Sequence, residues 1–151
     1  MSLRIGREEL SEVVSGQIVE SKERLTSIGV VFSSAEIKGG ELFVALKGES
    51  THGHKFLADA FAKGASLWLV EDLSLLDNPD YGNRLVYVPD TLIAFSELAK
   101  WWRKTLGVPV IAVTGSVGKT TTKEMIAAIL LQKSTGIYSL KSHNNHTGVP
   151  Y

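Results

Sequence analysis

Two short runs, Leu42-Phe43-Val44-Ala45-Leu46 and Leu67-Trp68-Leu69-Val70, are apolar at every position. A strand with one wet face alternates polar and apolar residues. An unbroken apolar run of this length is a strand covered on both faces, the pattern of a parallel sheet between helices. Between the runs, His54–Lys63 places Phe56, Leu57, Ala60 and Phe61 on one helical face, and Gly64 stops the helix. Strand, helix and strand at this spacing form a βαβ unit with parallel strands and a right-handed crossover. The fold class is α/β.

The remaining segments fit that scheme. Arg7–Ser15 carries Leu10, Val13 and Val14 at helical spacing and stops at Gly16, while Val30–Phe32 reads as a strand. Lys38-Gly39-Gly40 is a turn, Asp77–Asn83 a loop of turn formers, and Leu85–Val88 a strand ended by Pro89. Thr91–Leu106 is helical, with Leu92, Phe95, Leu98, Ala99, Trp102 and Leu106 inward and Gly107 at the C-cap. Val108–Val113 reads as an aliphatic strand, Lys119–Gln132 as a helix and Ile137–Leu140 as a further strand. A boundary near Pro89 separates a small α/β domain, 1–88, from the incomplete opening of a second, 89–151. The chain therefore reads as the N-terminal part of a longer protein.

Charge narrows the partners. Sixteen Lys and Arg balance sixteen Asp and Glu, so no bulk field draws the chain to nucleic acid or to an anionic membrane. Any anion site must be a local device. Cysteine is absent, which excludes disulfides, thiolate metal sites and cysteine nucleophiles. Arg4, Arg7, Glu8, Glu9 and Glu12 interrupt the stretch where an export signal would need its apolar core, and no run is long enough to span a bilayer. A cytoplasmic protein is expected.

The local device lies at Thr114-Gly115-Ser116-Val117-Gly118-Lys119-Thr120-Thr121-Thr122. Gly115 and Gly118 permit torsions that turn consecutive amides inward around an anion, and the helix beginning at Lys119 aims its own unpaired amides at the same point. Lys119 brings a full charge for β- and γ-phosphates, and the Thr120 hydroxyl is the natural ligand for Mg²⁺. Val113 stands where the usual phosphate loop has its first glycine, so this is a shortened form, Gly-x-x-Gly-Lys-Thr. ATP and Mg²⁺ are the cofactors expected.

Three stretches together resemble the Mur ligase family, the ATP-dependent amino-acid ligases of peptidoglycan precursor synthesis. They are the loop just described, Gly40–Glu49 with His52-Gly53-His54-Lys55-Phe56, and Asn144-Asn145-His146-Thr147-Gly148-Val149-Pro150. The last, with Lys123-Glu124, is similar to the D-alanyl-D-alanine-adding type. The resemblance implies a uridine-nucleotide-sugar domain followed by the start of a P-loop Rossmann-like ATPase domain. It further implies UDP-N-acetylmuramoyl-tripeptide and D-Ala-D-Ala as substrates, an acyl phosphate intermediate and a monomeric full-length enzyme. This stretch alone is expected not to ligate. Lys119 and Thr120 would serve catalysis, and Thr114, Gly115, Ser116, Val117, Gly118 and Thr121 would complete the ATP site.

Ser34, Lys47, His52, His54, Asn144 and Asn145 are the candidate substrate contacts. The loop from Lys47 to His54 follows a buried strand at its C-terminal end, where open α/β sheets bind ligands. Relatives read Asp-Ser/Thr-Arg where this chain has Ser33-Ser34-Ala35, so only Ser34 matches, and His52 replaces an acid. Plainer roles exist for each: a solvated loop for Lys47–His54, a turn for Asn144 and Asn145. His52 and His54 lack further metal ligands nearby in sequence. Trp101 and Trp102 are adjacent on a helix, so at most one faces the core squarely. Two other functions compete: another Mur-type or folate-type ligase sharing the ATP loop, and a nucleotide-binding module without chemistry.

Overall fold

The structure is a computed structural model that describes residues 3–47 and 53–139. The chain divides into two compact units, Met1–Thr105 and Leu106–Tyr151. The division falls later than the expected boundary at Pro89, because the long helix lays Ala94, Phe95 and Leu98 into the first unit's core.

The first unit holds a four-stranded parallel sheet in sequential order, β3 (Val30–Val31), β4 (Leu42–Val44), β5 (Leu67–Val70) and β6 (Leu85–Tyr87). As the two apolar runs require, β4 and β5 pair in parallel, Leu42 opposite Leu67 and Val44 opposite Leu69. Strand alternation sends their side chains to two separate cores. On one face Leu42, Val44, Leu67, Leu69 and Val86 meet Ile5, Leu10 and Val14, together with α3 (Thr91–Leu106). On the other, Phe43, Ala45, Trp68, Val70 and Leu85 meet Ile37 and the Leu57 and Ala60 side chains of α2 (Leu57–Ala62). Every residue of β4 and β5 is fully buried.

Several boundaries differ from the sequence reading. A two-stranded antiparallel sheet, β1 (Arg4–Gly6) with β2 (Thr26–Ile28), was not expected; each strand is three residues of mixed polarity without an apolar run. Helix α1 (Arg7–Val14) ends on Ser15 in the left-handed conformation, φ 52°, and not on Gly16. Gly16 is needed for space: a Cβ there would sit 2.6 Å from Val86 Cγ1 and 2.9 Å from the Tyr87 carbonyl. The expected helix His54–Lys63 is a 3₁₀ turn, Gly53–Phe56, leading into α2, which leaves Phe56 and Phe61 exposed. On α3 the fully buried residues are Thr91, Ala94, Phe95 and Leu98; Leu92, Ala99, Trp102 and Leu106 are only half-buried. Trp101 and Trp102 both lie half-buried against the first core, ring centroids 6.0 Å apart.

In the second unit α4 (Lys119–Leu130) forms at the expected place. Val108–Val113 and Ile137–Ser139 are not strands, and Val108, Val110 and Ile111 are exposed. A strand needs a hydrogen-bonded neighbour, and among the described residues this unit has none to offer. No helix of the described residues is long and apolar enough to cross a membrane.

Candidate functional site

The carboxyl ends of β4, β5 and β6 bring together residues far apart in sequence. Lys47 follows β4 and is exposed. The chain is back at the strand by Gly53, whose amide donates to the Leu46 carbonyl at 3.0 Å. A Cβ on Gly53 would stand 2.6 Å from both Cα and C of Ala45, so only glycine lets the two backbones approach. His54 comes next. Its Nε2 accepts the Glu71 amide at 3.1 Å, tying the 3₁₀ turn to the end of β5. The Glu71 carboxylate in turn accepts from the Thr91 amide and hydroxyl, both at 2.8 Å, at the first turn of α3. Asp90 caps the same helix, its Oδ1 accepting from the Ile93 amide at 2.9 Å.

Two carboxyls near this edge are held below their usual range. Asp72 is lowered chiefly by the Ser74 hydroxyl, then by the Ser74 amide, with a smaller electrostatic contribution from His54. Asp59 on α2 is lowered first by its hydrogen bond to the Ser34 hydroxyl and then by Lys63, whose Nζ donates to Asp59 Oδ2 at 2.9 Å. Ser34 is buried and engaged by α2. Of the sequence candidates in this unit, then, Lys47 faces solvent, while Ser34 and His54 are held by protein groups. His52 lies outside the described residues, as do Asn144 and Asn145. Glu71 and Thr91 were not singled out from sequence; the one available signal was Asp90-Thr91 standing at a helix start after Pro89.

In the second unit, Gly115 and Gly118 take φ values of 149° and 79°, and a Cβ on Gly118 would meet nothing within 4 Å. The first helical bond of α4 runs from the Thr122 amide to the Gly118 carbonyl at 2.9 Å, so the amides ahead of it are outside the helix ladder. Lys119 folds back over the loop, Nζ donating to the Gly115 carbonyl at 2.5 Å and reaching the Ser116 carbonyl at 3.4 Å. Thr114 through Thr121 are all exposed. Positive-φ glycines, amides outside the ladder and an ammonium over the loop fit a polyphosphate: the cation already sits where anionic oxygens would replace weak carbonyl partners. For Mg²⁺ the fitting group is the exposed Thr120 hydroxyl. No cluster of three His, Asp or Glu able to hold a metal occurs among the described residues, so such an ion would keep phosphate and water ligands.

Comparison with known proteins places the chain in a family. Residues 27–106 match the description "Mur ligase family, catalytic domain", and residues 113–151 match "Mur ligase middle domain". The UDP-N-acetylmuramoyl-tripeptide–D-alanyl-D-alanine ligase of Bacillus subtilis is 40% identical over 144 residues, 93% of this chain and 31% of the relative. A crystal structure of MurF from Acinetobacter baumannii superposes with a TM-score of 0.81 at 30% identity, covering 99% of this chain and 32% of that one. MurF ligase from Thermotoga maritima, solved in complex with ADP, superposes with a TM-score of 0.70 at 32% identity over 80% of this chain and 27% of that one. The chain thus spans about a third of the length of the relatives it matches. Parallel sheet and matched regions together define a mixed α/β chain. It belongs to the Mur ligase family.

Proposed function

We propose that the full-length protein carrying this chain is an ATP-dependent ligase that joins D-Ala-D-Ala to UDP-N-acetylmuramoyl-tripeptide. One observation carries the reading: a relative bearing that name matches 93% of the chain at 40% identity. The ADP held by the Thermotoga maritima relative supports ATP as the energy source. On this reading the tripeptide carboxylate takes the terminal phosphoryl group, the dipeptide amine attacks the acyl phosphate, and phosphate leaves. Phosphoryl transfer calls for positioning and charge neutralisation more than covalent chemistry. Lys119 would leave the Gly115 carbonyl for the β- and γ-phosphates, and the amides of Gly115 to Lys119 would donate to them. Thr114 and Thr121 would flank that cradle. Thr120 would hold Mg²⁺, which supplies further positive charge against the phosphate oxygens.

The carboxyl edge of the first unit is the nucleotide-sugar site in this reading. Lys47 and His52 would touch the substrate, His54 and Ser34 would hold the surrounding turns, and Asn144 and Asn145 would meet the carboxylate or phosphate. The enzyme would work as a cytoplasmic monomer, and this stretch alone would not ligate. The test is phosphate release by the full-length protein. Release should require ATP, UDP-muramoyl-tripeptide and D-Ala-D-Ala together; no dependence on the peptides would leave a nucleotide-binding module.

A further inference from the structure

We propose that Glu71 and Thr91 are positioning residues for the nucleotide-sugar substrate, acting as a latch that fixes the carboxyl edge of the sheet on which that substrate would lie. The inference rests on the functional reading above and adds to it two residues that touch no candidate ligand. Their connections run across three strands. Thr91 is 1% exposed, and its hydroxyl has one proton to give. Glu71 Oε1 lies 2.8 Å away and the Ala45 carbonyl 3.5 Å, so the carboxylate receives it. The same oxygen takes the Thr91 amide. Glu71 therefore occupies the amino end of α3 with its own negative charge, where the helix dipole favours an anion. That end is closed to a substrate phosphate.

The backbone of the same Glu71 donates to His54 Nε2, and His54 follows the glycine that backs onto Ala45. One continuous chain of bonds thus links the start of α3, the end of β5 and the turn that closes behind β4. Loosening Thr91 frees the Glu71 side chain, and with it the segment whose amide holds His54. The groups flanking the candidate loop then lose their fixed separation before substrate arrives, and binding must restore it.

The experiment uses the full-length protein and three variants, T91V, E71Q and T91S, with steady-state kinetics for each substrate. T91V removes the hydroxyl at nearly constant shape, E71Q keeps the shape and loses the charge, and T91S restores the donor. The expected result for T91V is a KM for UDP-muramoyl-tripeptide raised about tenfold, the scale of one hydrogen bond to a charged group. Its kcat and its KM for ATP should stay within about twofold, a change below 0.5 kcal/mol. E71Q should be intermediate and T91S close to the unsubstituted protein. Amide exchange read in the same samples should quicken at Glu71 and Gly53 in T91V. An unmoved nucleotide-sugar KM in T91V, beside normal turnover of the unsubstituted protein, overturns the latch and leaves the ligase reading intact. Equal losses for all three substrates, without rescue by T91S, also overturn it, because they mark a general folding defect. Absence of peptide-dependent turnover in the unsubstituted protein removes the ligase reading itself and the latch with it.

Discussion

Replacing Gly53 by alanine tests whether the turn behind β4 is built by close backbone approach. The added methyl would lie 2.6 Å from Ala45 Cα and C and 3.0 Å from the Leu46 nitrogen. All three are main-chain atoms of a segment held in the sheet, where the Ala45 amide donates to the Leu69 carbonyl at 3.0 Å. None can swing aside as a side-chain tip would, so the strand or the turn must shift and the bond from the Gly53 amide to the Leu46 carbonyl stretches. Overpacking of this kind costs about 1–3 kcal/mol, and the rigidity of the partners puts Gly53→Ala in the upper half of that range. For a unit of this size each kcal/mol lowers the melting temperature by roughly 4–8 °C, so a fall of about 10–20 °C is expected by calorimetry. Gly39→Ala is the matching control: its φ is 114° and nothing lies within 4 Å of the new Cβ, so it carries torsional strain alone. Its cost should be about 1–2 kcal/mol, with no effect on exchange at the Gly53 amide. A Gly53→Ala protein that melts with the unsubstituted one would show that the two backbones do not meet, and the geometry of this edge would have to be redrawn.

Other outcomes follow from separate parts of the molecule. Lys119→Ala should weaken ATP binding by the full-length protein by about 1.5–3 kcal/mol in titration calorimetry, while leaving thermal stability unchanged, because the lysine is exposed and its present partners are loop carbonyls. Unchanged affinity would mean that the loop does not hold the nucleotide. Leu69→Ala, at a fully buried position on β5, should cost about 2–5 kcal/mol in urea unfolding, and a smaller loss would put Leu69 outside the core. Asp59 is depressed below its ordinary 3.8 by Ser34 and then Lys63. A depressed carboxyl contributes stability at higher pH and loses it as pH falls through the folded value, so the contribution should fade below about pH 3.8. Asp59→Asn should remove that part of the acid slope in unfolding measured from pH 6 to 2, and an identical slope in the variant would disprove the coupling.

The runs at β4 and β5 were legible because strands covered on both faces need no polar residue, and each run is short and bounded by glycine or polar residues. Helix α3 was legible from end to end, since its apolar period and Gly107 stop are local signals. The glycine loop before α4 was equally plain: positive φ at Gly115 and Gly118 is a property of those residues, and Lys119 follows directly. Strands β1 and β2 left no signal, because three residues of mixed polarity become strands only by pairing with each other. Val108–Val113 erred in the opposite direction. Its aliphatic residues favour a strand, but a strand is completed by a neighbour, and the described residues of that unit provide none.

The carboxyl edge divides along the same line. Residue type and local order determined that a parallel α/β unit would form and that a glycine loop would precede a helix. Only the folded chain decided that Glu71 would meet Thr91, that His54 would accept a main-chain amide, that Ser34 would be taken up by Asp59, and that Gly53 is required for closeness to Ala45. Periodicity reports which face of an element is covered, because burial repeats along the chain. Pairing between polar groups seventeen or more residues apart depends on register and on where loops close, and these are set by tertiary packing.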